Sequence, residues 1–173
     1  MPPTGITSAQ SRIVLGFGGF LTLTGAALLV FGMSFLYTAI ASRHWPTAAG
    51  TIQKVAVVSE LSSSGTTRAY TYHYAVTYEY GVNEQTYRSD RYSLGTGATA
   101  SKRYRERSEA LTASRDYPAG GAVTVYYDPK DPASAVLKPG ANFGTYVPLV
   151  MGLMALPGGL ALLVVAQKAL RPQ

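Results

Sequence analysis

Two long apolar runs flank one polar segment of the chain. Residues 13–42 and residues 146–166 contain no charged side chain. An α-helix rises about 1.5 Å per residue and the hydrocarbon core of a bilayer is about 30 Å thick, so roughly 20 apolar residues suffice to cross it. The pattern predicts transmembrane helices at residues 13–42 and 146–166, a soluble β-rich domain at residues 43–140, a flexible tail at residues 1–12 and a short basic tail at residues 167–173.

A strict alternation of aromatic and smaller residues marks the middle of the polar segment. Tyrosine or valine occupies every second position between residues 70 and 80, a period that is typical of a β-strand. The tyrosines that share one face are Tyr70, Tyr72, Tyr74, Tyr78 and Tyr80. Tyrosine packs well on a half-buried pleated surface, which favours a core. The alternative is an exposed row that contacts a protein partner or stacks on bases or sugars.

The other patterns of the soluble segment predict the order of its elements. Stretches with strand composition occur at residues 50–59, 85–92, 122–127 and 135–138, and the serine-rich residues 61–67 are typical of a loop. Residues 99–113 have the narrow apolar stripe of a solvated helix. Three strands, one helix and two strands predict a small α+β, mainly β domain: a five-stranded OB-like barrel or sandwich with one helix between strands 3 and 4.

The predicted helix at residues 99–113 carries a basic cluster. Its members are Lys102, Arg103, Arg105 and Arg107. Lys102 and Glu106 are four residues apart, as are Arg105 and Glu109, and this spacing suits ion pairs on a solvated helix face. The cluster therefore has two interpretations, an ion-paired solvated face, which is favoured, and a site for phosphate or lipid headgroups.

Small residues recur along one face of each apolar run. In the first run they are Gly18, Thr22, Gly25 and Gly32, and in the second Gly152, Ala155 and Gly159. Helices associate in lipid through such faces because their backbones can approach closely. The pattern predicts helix packing, either between the two helices of the chain, which is favoured, or with a helix of another protein.

Aromatic residues mark the inner ends of both runs. They are Tyr37, His44 and Trp45 at the end of the first run, and Phe143 and Tyr146 at the start of the second. Amphipathic rings are enriched at the level of the lipid headgroups. These residues are therefore predicted to lie at the membrane interface.

Composition narrows the possible chemistry. The chain has a formal net charge of +6, no cysteine and two histidines, His44 and His73. Without cysteine, disulfides, thiolate metal sites and a cysteine nucleophile are excluded. His73 belongs to the polar face of the tyrosine strand without nearby ligand candidates, which predicts a surface or hydrogen-bonded residue rather than a metal ligand. No nucleophile elbow or zinc-protease spacing occurs, so the sequence predicts a non-enzymatic protein without cofactor or metal.

The flanking charges bear on location. The two tails carry Arg12, Lys168 and Arg171 and no acid, and cytoplasmic segments are enriched in lysine and arginine. We expect a multi-pass protein of a bacterial inner membrane with both termini in the cytoplasm and residues 43–140 in the periplasm or outside the cell. The first run is about twice as long as a signal-peptide core, which favours an uncleaved anchor.

Several short motifs of the middle segment occur together in one known family. They are Trp45-Pro46-Thr47, Gly50-Thr51-Ile52, the strand at residues 74–80, Tyr117-Pro118-Ala119-Gly120, the run at residues 123–129, Asp131-Pro132 and Ala135-Val136-Leu137. With this spacing the chain resembles the bacterial domain-of-unknown-function family 3592 over residues 45–137. The resemblance implies a β-rich domain held between two membrane helices, and it implies no catalytic residue.

These features predict an accessory or assembly subunit of a larger bacterial membrane complex. Its expected partners are the lipid bilayer and other integral membrane proteins or a second copy of the chain, contacted through the small-residue helix faces and the tyrosine-rich domain. One alternative is a membrane-anchored binding module such as a toxin-immunity protein. The other is an OB-like module that binds lipid or nucleic acid, of which nucleic acid is disfavoured by a domain outside the cytoplasm.

Overall fold

The computed structural model describes residues 8–64, 67–96 and 102–170. The chain forms two compact units, one of residues 1–36 and 145–173 and the other of residues 37–144. The first unit is helical and is called the helical unit below. The second is built on a β-sheet and is called the sheet unit. Each unit is described by itself.

Two long helices make up the first unit and extend past the predicted spans. Helix α1 covers Ser8–Ala41 and helix α3 covers Phe143–Leu170. α1 therefore begins five residues before the predicted span, and part of the predicted tail at residues 1–12 is helical, while residues 1–7 and 171–173 lie outside the described residues. Helix α3 continues through Pro148 and Pro157.

The second unit contains one five-stranded antiparallel sheet. Its strands are β1 (Thr47–Ser64), β2 (Thr67–Val82), β3 (Gln85–Ser89), β4 (Ala122–Asp128) and β5 (Asp131–Val136), in the spatial order β3-β2-β1-β4-β5. Asn83 and Glu84 form the tight turn between β2 and β3, with φ of 49° and 64°, as a type I′ hairpin requires. Every paired strand is thus antiparallel to its neighbour.

The structure corrects the predicted barrel or sandwich. Five strands with a helix between the third and fourth are confirmed, but the sheet is single and open, and β3 and β5 are its edges. The sheet nevertheless curls so that β2 and β5 approach each other. The Tyr80 hydroxyl of β2 donates a hydrogen bond to the Pro132 carbonyl of β5 at 2.5 Å. Two further bonds join the segments after the edge strands, from the amides of Leu137 and Lys138 to the Tyr92 carbonyl.

Two local predictions in the soluble segment were wrong. The predicted loop at residues 61–67 is strand on both sides, since β1 runs to Ser64 and β2 starts at Thr67, with residues 65 and 66 outside the described part. The predicted helix at residues 99–113 is shorter: α2 covers Arg107–Ser114. Residues 102–106 are not helical, and residues 99–101 lie outside the described residues.

Helix α2 crosses one face of the β1–β2 hairpin. Before the helix, Tyr104 exchanges two backbone hydrogen bonds with Tyr72 on the outer edge of β2. After it, Gly120 and Gly121 bond to Ile52 on the opposite edge of the hairpin. Ala110 of α2 is fully buried between these attachments. The chain therefore passes over the hairpin, and the hairpin end beyond this crossing projects from the sheet.

Candidate functional site

The glycine face of α1 lies against α3 of the same chain. A Cβ atom added to Gly25 would lie 2.6 Å from the backbone nitrogen of Leu156, and one added to Gly32 would lie 2.6 Å from that of Leu149. One added to Gly18 would lie 3.2 Å from the Gly159 carbonyl oxygen. Since real Cβ atoms do not approach backbone atoms below about 3 Å, the close approach at Gly25 and Gly32 requires glycine.

The small residues of α3 form the other half of this contact. A Cβ atom on Gly152 would lie 2.8 Å from the Leu29 nitrogen, and one on Gly159 would lie 2.6 Å from the Thr22 nitrogen. The Thr22 hydroxyl donates a hydrogen bond to the Gly18 carbonyl at 2.7 Å, so its donor is used within its own helix. Ala155 is half-buried, and its backbone lies beside Gly25. The small faces therefore meet each other, which leaves little room there for a helix of another protein.

The tyrosine row is divided between the core and the surface. Tyr74, Tyr78 and Tyr80 are buried in the main hydrophobic cluster, with Tyr78 fully enclosed. Tyr70 is 61% exposed, and Tyr72 is half-buried. The three buried rings cannot touch a partner, so the assignment of a contact surface to them is corrected, and only Tyr70 and Tyr72 retain that possibility.

The buried tyrosines satisfy their hydroxyl groups inside the domain. Tyr78 donates to the Arg91 carbonyl at 2.9 Å, and Tyr92 and Tyr117 share a hydrogen bond of 3.3 Å between their hydroxyls. The Tyr74 ring lies between these two, with centroid distances of 6.1 Å to Tyr92 and 5.8 Å to Tyr117. Aromatic pairs at such distances stabilise a core beyond their buried area. The tyrosine-rich side of the sheet is thus packed and hydrogen-bonded.

Burial keeps these phenols neutral. It raises the pKa of Tyr80 to about 12 and also raises the pKa of Tyr74, Tyr78, Tyr92 and Tyr117. The cause is that the charged phenolate loses its hydration in the core. None of these groups is therefore poised to act as a base near neutral pH.

This shift predicts an alkaline loss of stability. Because the folded pKa of Tyr80 exceeds the ordinary value of 10.0, its contribution to stability is complete below about pH 10 and is lost as the pH rises towards about 12. We expect the full chain in detergent to unfold cooperatively in that interval, with tyrosinate absorbance appearing together with the loss of near-ultraviolet circular dichroism. Tyr80→Phe should make the decline shallower. Tyrosinate that forms while the fold persists would contradict the prediction.

The basic cluster is split rather than gathered on one helix face. Arg103 pairs with Glu60 of β1, and its hydrogen bond and charge lower the pKa of that carboxyl. The Lys102 ammonium lies 4.9 Å from the centroid of the Tyr104 ring, within cation–π range. The predicted i, i+4 spacing is lost because Lys102 and Arg105 precede α2.

Two open depressions border this segment. One of about 600 Å³ is lined in part by Lys102, Arg103, Arg105 and Glu109. The other, of about 350 Å³, lies on the projecting hairpin between Tyr70, Tyr72 and Arg107. Lys102, Arg103 and Arg105 therefore line the first depression and Arg107 lines the second. Arg103 is already paired with Glu60.

His73 is more enclosed than the sequence predicted. The side chain is 5% exposed, and among the described residues its Nδ1 atom has no hydrogen-bond partner. Of the two predicted alternatives, a surface residue or a hydrogen-bonded residue, the surface position is therefore wrong. Within the described residues, no three His, Asp or Glu side chains converge as a metal site would require.

The aromatic residues predicted for the interface have different exposures. Tyr37, Phe143 and Tyr146 expose large parts of their rings, His44 is exposed and Trp45 is half-buried. Sequence reasoning missed Ser42, which is fully buried beside them. Its hydroxyl donates to the Ala39 carbonyl at 2.7 Å and accepts the Gly140 amide at 2.8 Å. Ser42 therefore links the first and last segments of the sheet unit by a hydrogen bond.

These features define a class of protein: an open, curled antiparallel sheet crossed by one short helix, in a chain with one apolar helix before the sheet and one after it in sequence. The chain belongs to the family described as Domain of unknown function (DUF3592), whose model matches residues 48–142. The match confirms the resemblance identified in the sequence. No curated protein matches the chain.

Proposed function

We propose that this protein is a non-catalytic accessory or assembly subunit of a bacterial membrane complex, anchored by α1 and α3 and contacting its partners through the sheet unit. The observation that carries the membrane anchor is the apolar exterior of the helical unit. The most apolar 18-residue stretches of the two helices are only 11% and 17% buried. A core helix of a soluble protein would be mostly enclosed, and exposed apolar surface of this extent fits a lipid environment.

The side chains that face outward support a bilayer crossing. Exposed large apolar residues follow both helices along their length, among them Phe17, Leu23, Val30, Leu153 and Val164. Meanwhile the inner faces meet backbone to backbone, which is how helices associate when lipid surrounds them. Two crossings place both termini on one side of the membrane, and the basic tails favour the cytoplasm for that side.

Membrane extraction and protease protection test the anchor and its orientation. We expect the full chain to stay in the membrane pellet after alkaline carbonate washing and to dissolve only in detergent. In spheroplasts, added protease should cleave the sheet unit while tags at both termini stay protected. A chain that remains in the supernatant without detergent would refute the anchor, and cleavage of the terminal tags in intact spheroplasts would reverse the orientation.

The accessory role requires a partner complex. Support for it comes from the sheet unit, whose buried tyrosines are committed to packing while the hairpin end bearing Tyr70 projects. Chemical cross-linking in native membranes, followed by mild-detergent purification and mass spectrometry, should recover the same integral membrane protein with the wild-type chain at stoichiometric yield. Tyr70→Ala, Leu61→Ala and their combination should reduce that recovery. A chain recovered without any other protein under all mild detergents would refute the role.

A further inference from the structure

Among the residues that the structure describes, strand β1 has a long edge without a strand beside it. Its first residues, Thr47–Thr51, pair with β4, and Ile52 bonds to Gly120 and Gly121. After the register shift between Ile52 and Lys54, β2 is the only strand that pairs with β1 in the described part of the chain. Exposed edges of this length normally carry protective charges, prolines or bulges. Here the register shift and Lys54 lie at one end and Glu60 at the other, and residues 55–58 between them are Val-Ala-Val-Val, an apolar stretch that suits another strand.

The alternation of the ladder shows which backbone groups face this edge. On β2, Tyr72 bonds to Tyr104 on the side away from β1, so alternate residues Tyr70, Tyr74 and Val76 also direct their N–H and C=O groups away from β1. Their partners in the register are Leu61, Val57 and Val55, and the partner of Tyr72 is Ser59. The backbone groups of these β1 residues therefore point to the free edge, and they specify an extended chain as the ligand.

The sequence of this edge is complementary to itself. In an antiparallel pair of two β1 edges centred on Val57, Val55 lies opposite Ser59 and Lys54 lies opposite Glu60. Residues that present outward backbone groups then meet each other, as an antiparallel ladder requires. Opposite charges at directly opposed positions stabilise such pairs. The two-fold symmetry repeats each of these contacts, with the apolar residues 55–58 at the centre.

We propose that two copies of this chain dimerise through the free edge of β1, with the strands antiparallel and Val57 on the two-fold axis. Lys54 of each copy joins the existing Arg103–Glu60 pair of the other copy, since a carboxylate accepts several donors. Val55 and Val57 share one face of β1, so the two copies together form an apolar strip across the dimer axis. The pairing is independent of the accessory role, because it concerns two identical chains and requires no other protein.

Engineered cysteines test the register in native membranes. The natural chain has no cysteine, so every disulfide reports on the introduced residue. With a mild oxidant, Val57→Cys should give a band of twice the monomer mass, because opposed residues lie about 5.5 Å apart between Cα atoms. Ser59→Cys is the matched control: its two copies would be about 13 Å apart along the strands. We expect about ten-fold more dimer from Val57→Cys than from Ser59→Cys.

Mixed cysteines and charge reversals provide a second measurement. Val55→Cys co-expressed with Ser59→Cys should cross-link, whereas each alone should not. Lys54→Glu should weaken the dimer about ten-fold in detergent, and Lys54→Glu with Glu60→Lys should restore it. Ser59→Pro removes an amide that faces the edge and none that bonds to β2, so it should abolish the dimer while the thermal unfolding of the sheet unit is retained.

Three results would overturn the proposal. The first is a Val57→Cys chain that remains monomeric under oxidation while its thermal unfolding matches that of the wild type. The second is equal cross-linking at Val57 and Ser59, which would exclude the register. The third is cross-linking of Val57→Cys to a different protein instead of a second copy, which would show that the edge binds another extended chain.

Discussion

Replacing Gly25 with leucine is expected to separate the two helices, because the new side chain has no space. Its Cβ atom alone would lie 2.6 Å from the backbone nitrogen and 2.9 Å from the Cα atom of Leu156. Backbone cannot yield as a flexible side chain can, so the helices must move apart along their contact. Overpacking typically costs about 1–3 kcal/mol, and we expect a value at the upper end here. The measurement is the thermal stability of the full chain in detergent, read as the loss of its monodisperse peak in size-exclusion chromatography.

Gly19 provides the matched control for this substitution. It lies in the same helix, and a Cβ atom there would meet nothing within 4 Å. Gly19→Leu should therefore change stability by no more than about 0.5 kcal/mol. Gly32→Leu, whose Cβ atom would meet Leu149, should behave like Gly25→Leu. Equal effects at positions 19 and 25 would show that α1 does not pack on α3 through its glycine face.

The substitution Tyr78→Ala is expected to remove most of the stability of the sheet unit. The ring is fully buried at the centre of the hydrophobic cluster, and removal of a buried aromatic ring costs about 3–5 kcal/mol. Tyr78→Phe keeps the ring but loses the hydrogen bond to the Arg91 carbonyl, for a cost of about 1 kcal/mol. Thermal unfolding of the full chain, followed by near-ultraviolet circular dichroism, measures both.

Tyr70→Ala is the control on the same strand and face. Tyr70 is 61% exposed where Tyr78 is 0% exposed, so its truncation should cost no more than about 0.5 kcal/mol. The ratio of the two effects separates core packing from strand propensity, since both substitutions replace tyrosine by alanine in β2. A Tyr78→Ala domain as stable as Tyr70→Ala would refute the packed tyrosine core.

The tyrosine row shows that a sequence pattern predicts which face a residue occupies but not whether that residue is buried. Alternation between residues 70 and 80 established one shared face, because side-chain direction in a strand is a local property. It did not distinguish Tyr70 from Tyr78. That difference depends on which part of the strand is covered by elements from elsewhere in the chain, such as α2 and the curled edge with Pro132.

The wrongly predicted boundaries of the helix and the loop also result from contacts with distant segments of the chain. The pattern of residues 99–113 is compatible with a helix, but Tyr104 is held in a backbone bridge to Tyr72, so α2 starts only at Arg107. The serines at residues 62–64 favour a loop by composition, yet they are strand because their partners on β2 extend the ladder. Pairing with a distant segment overrides local propensity when it satisfies more backbone hydrogen bonds.

The sequence by itself determined the two apolar helices, the tyrosine strand, the family and the absence of cysteine chemistry, since each depends on composition or on a short local period. Only the tertiary structure decided that the glycines of α1 face α3, that the sheet stays open, that the basic residues separate, and that β1 has no second strand beside residues 55–61 in the described part of the chain. These features depend on which distant segments meet. Local periodicity specifies the face that a residue occupies, but the free energy of long-range packing and backbone pairing selects what covers that face.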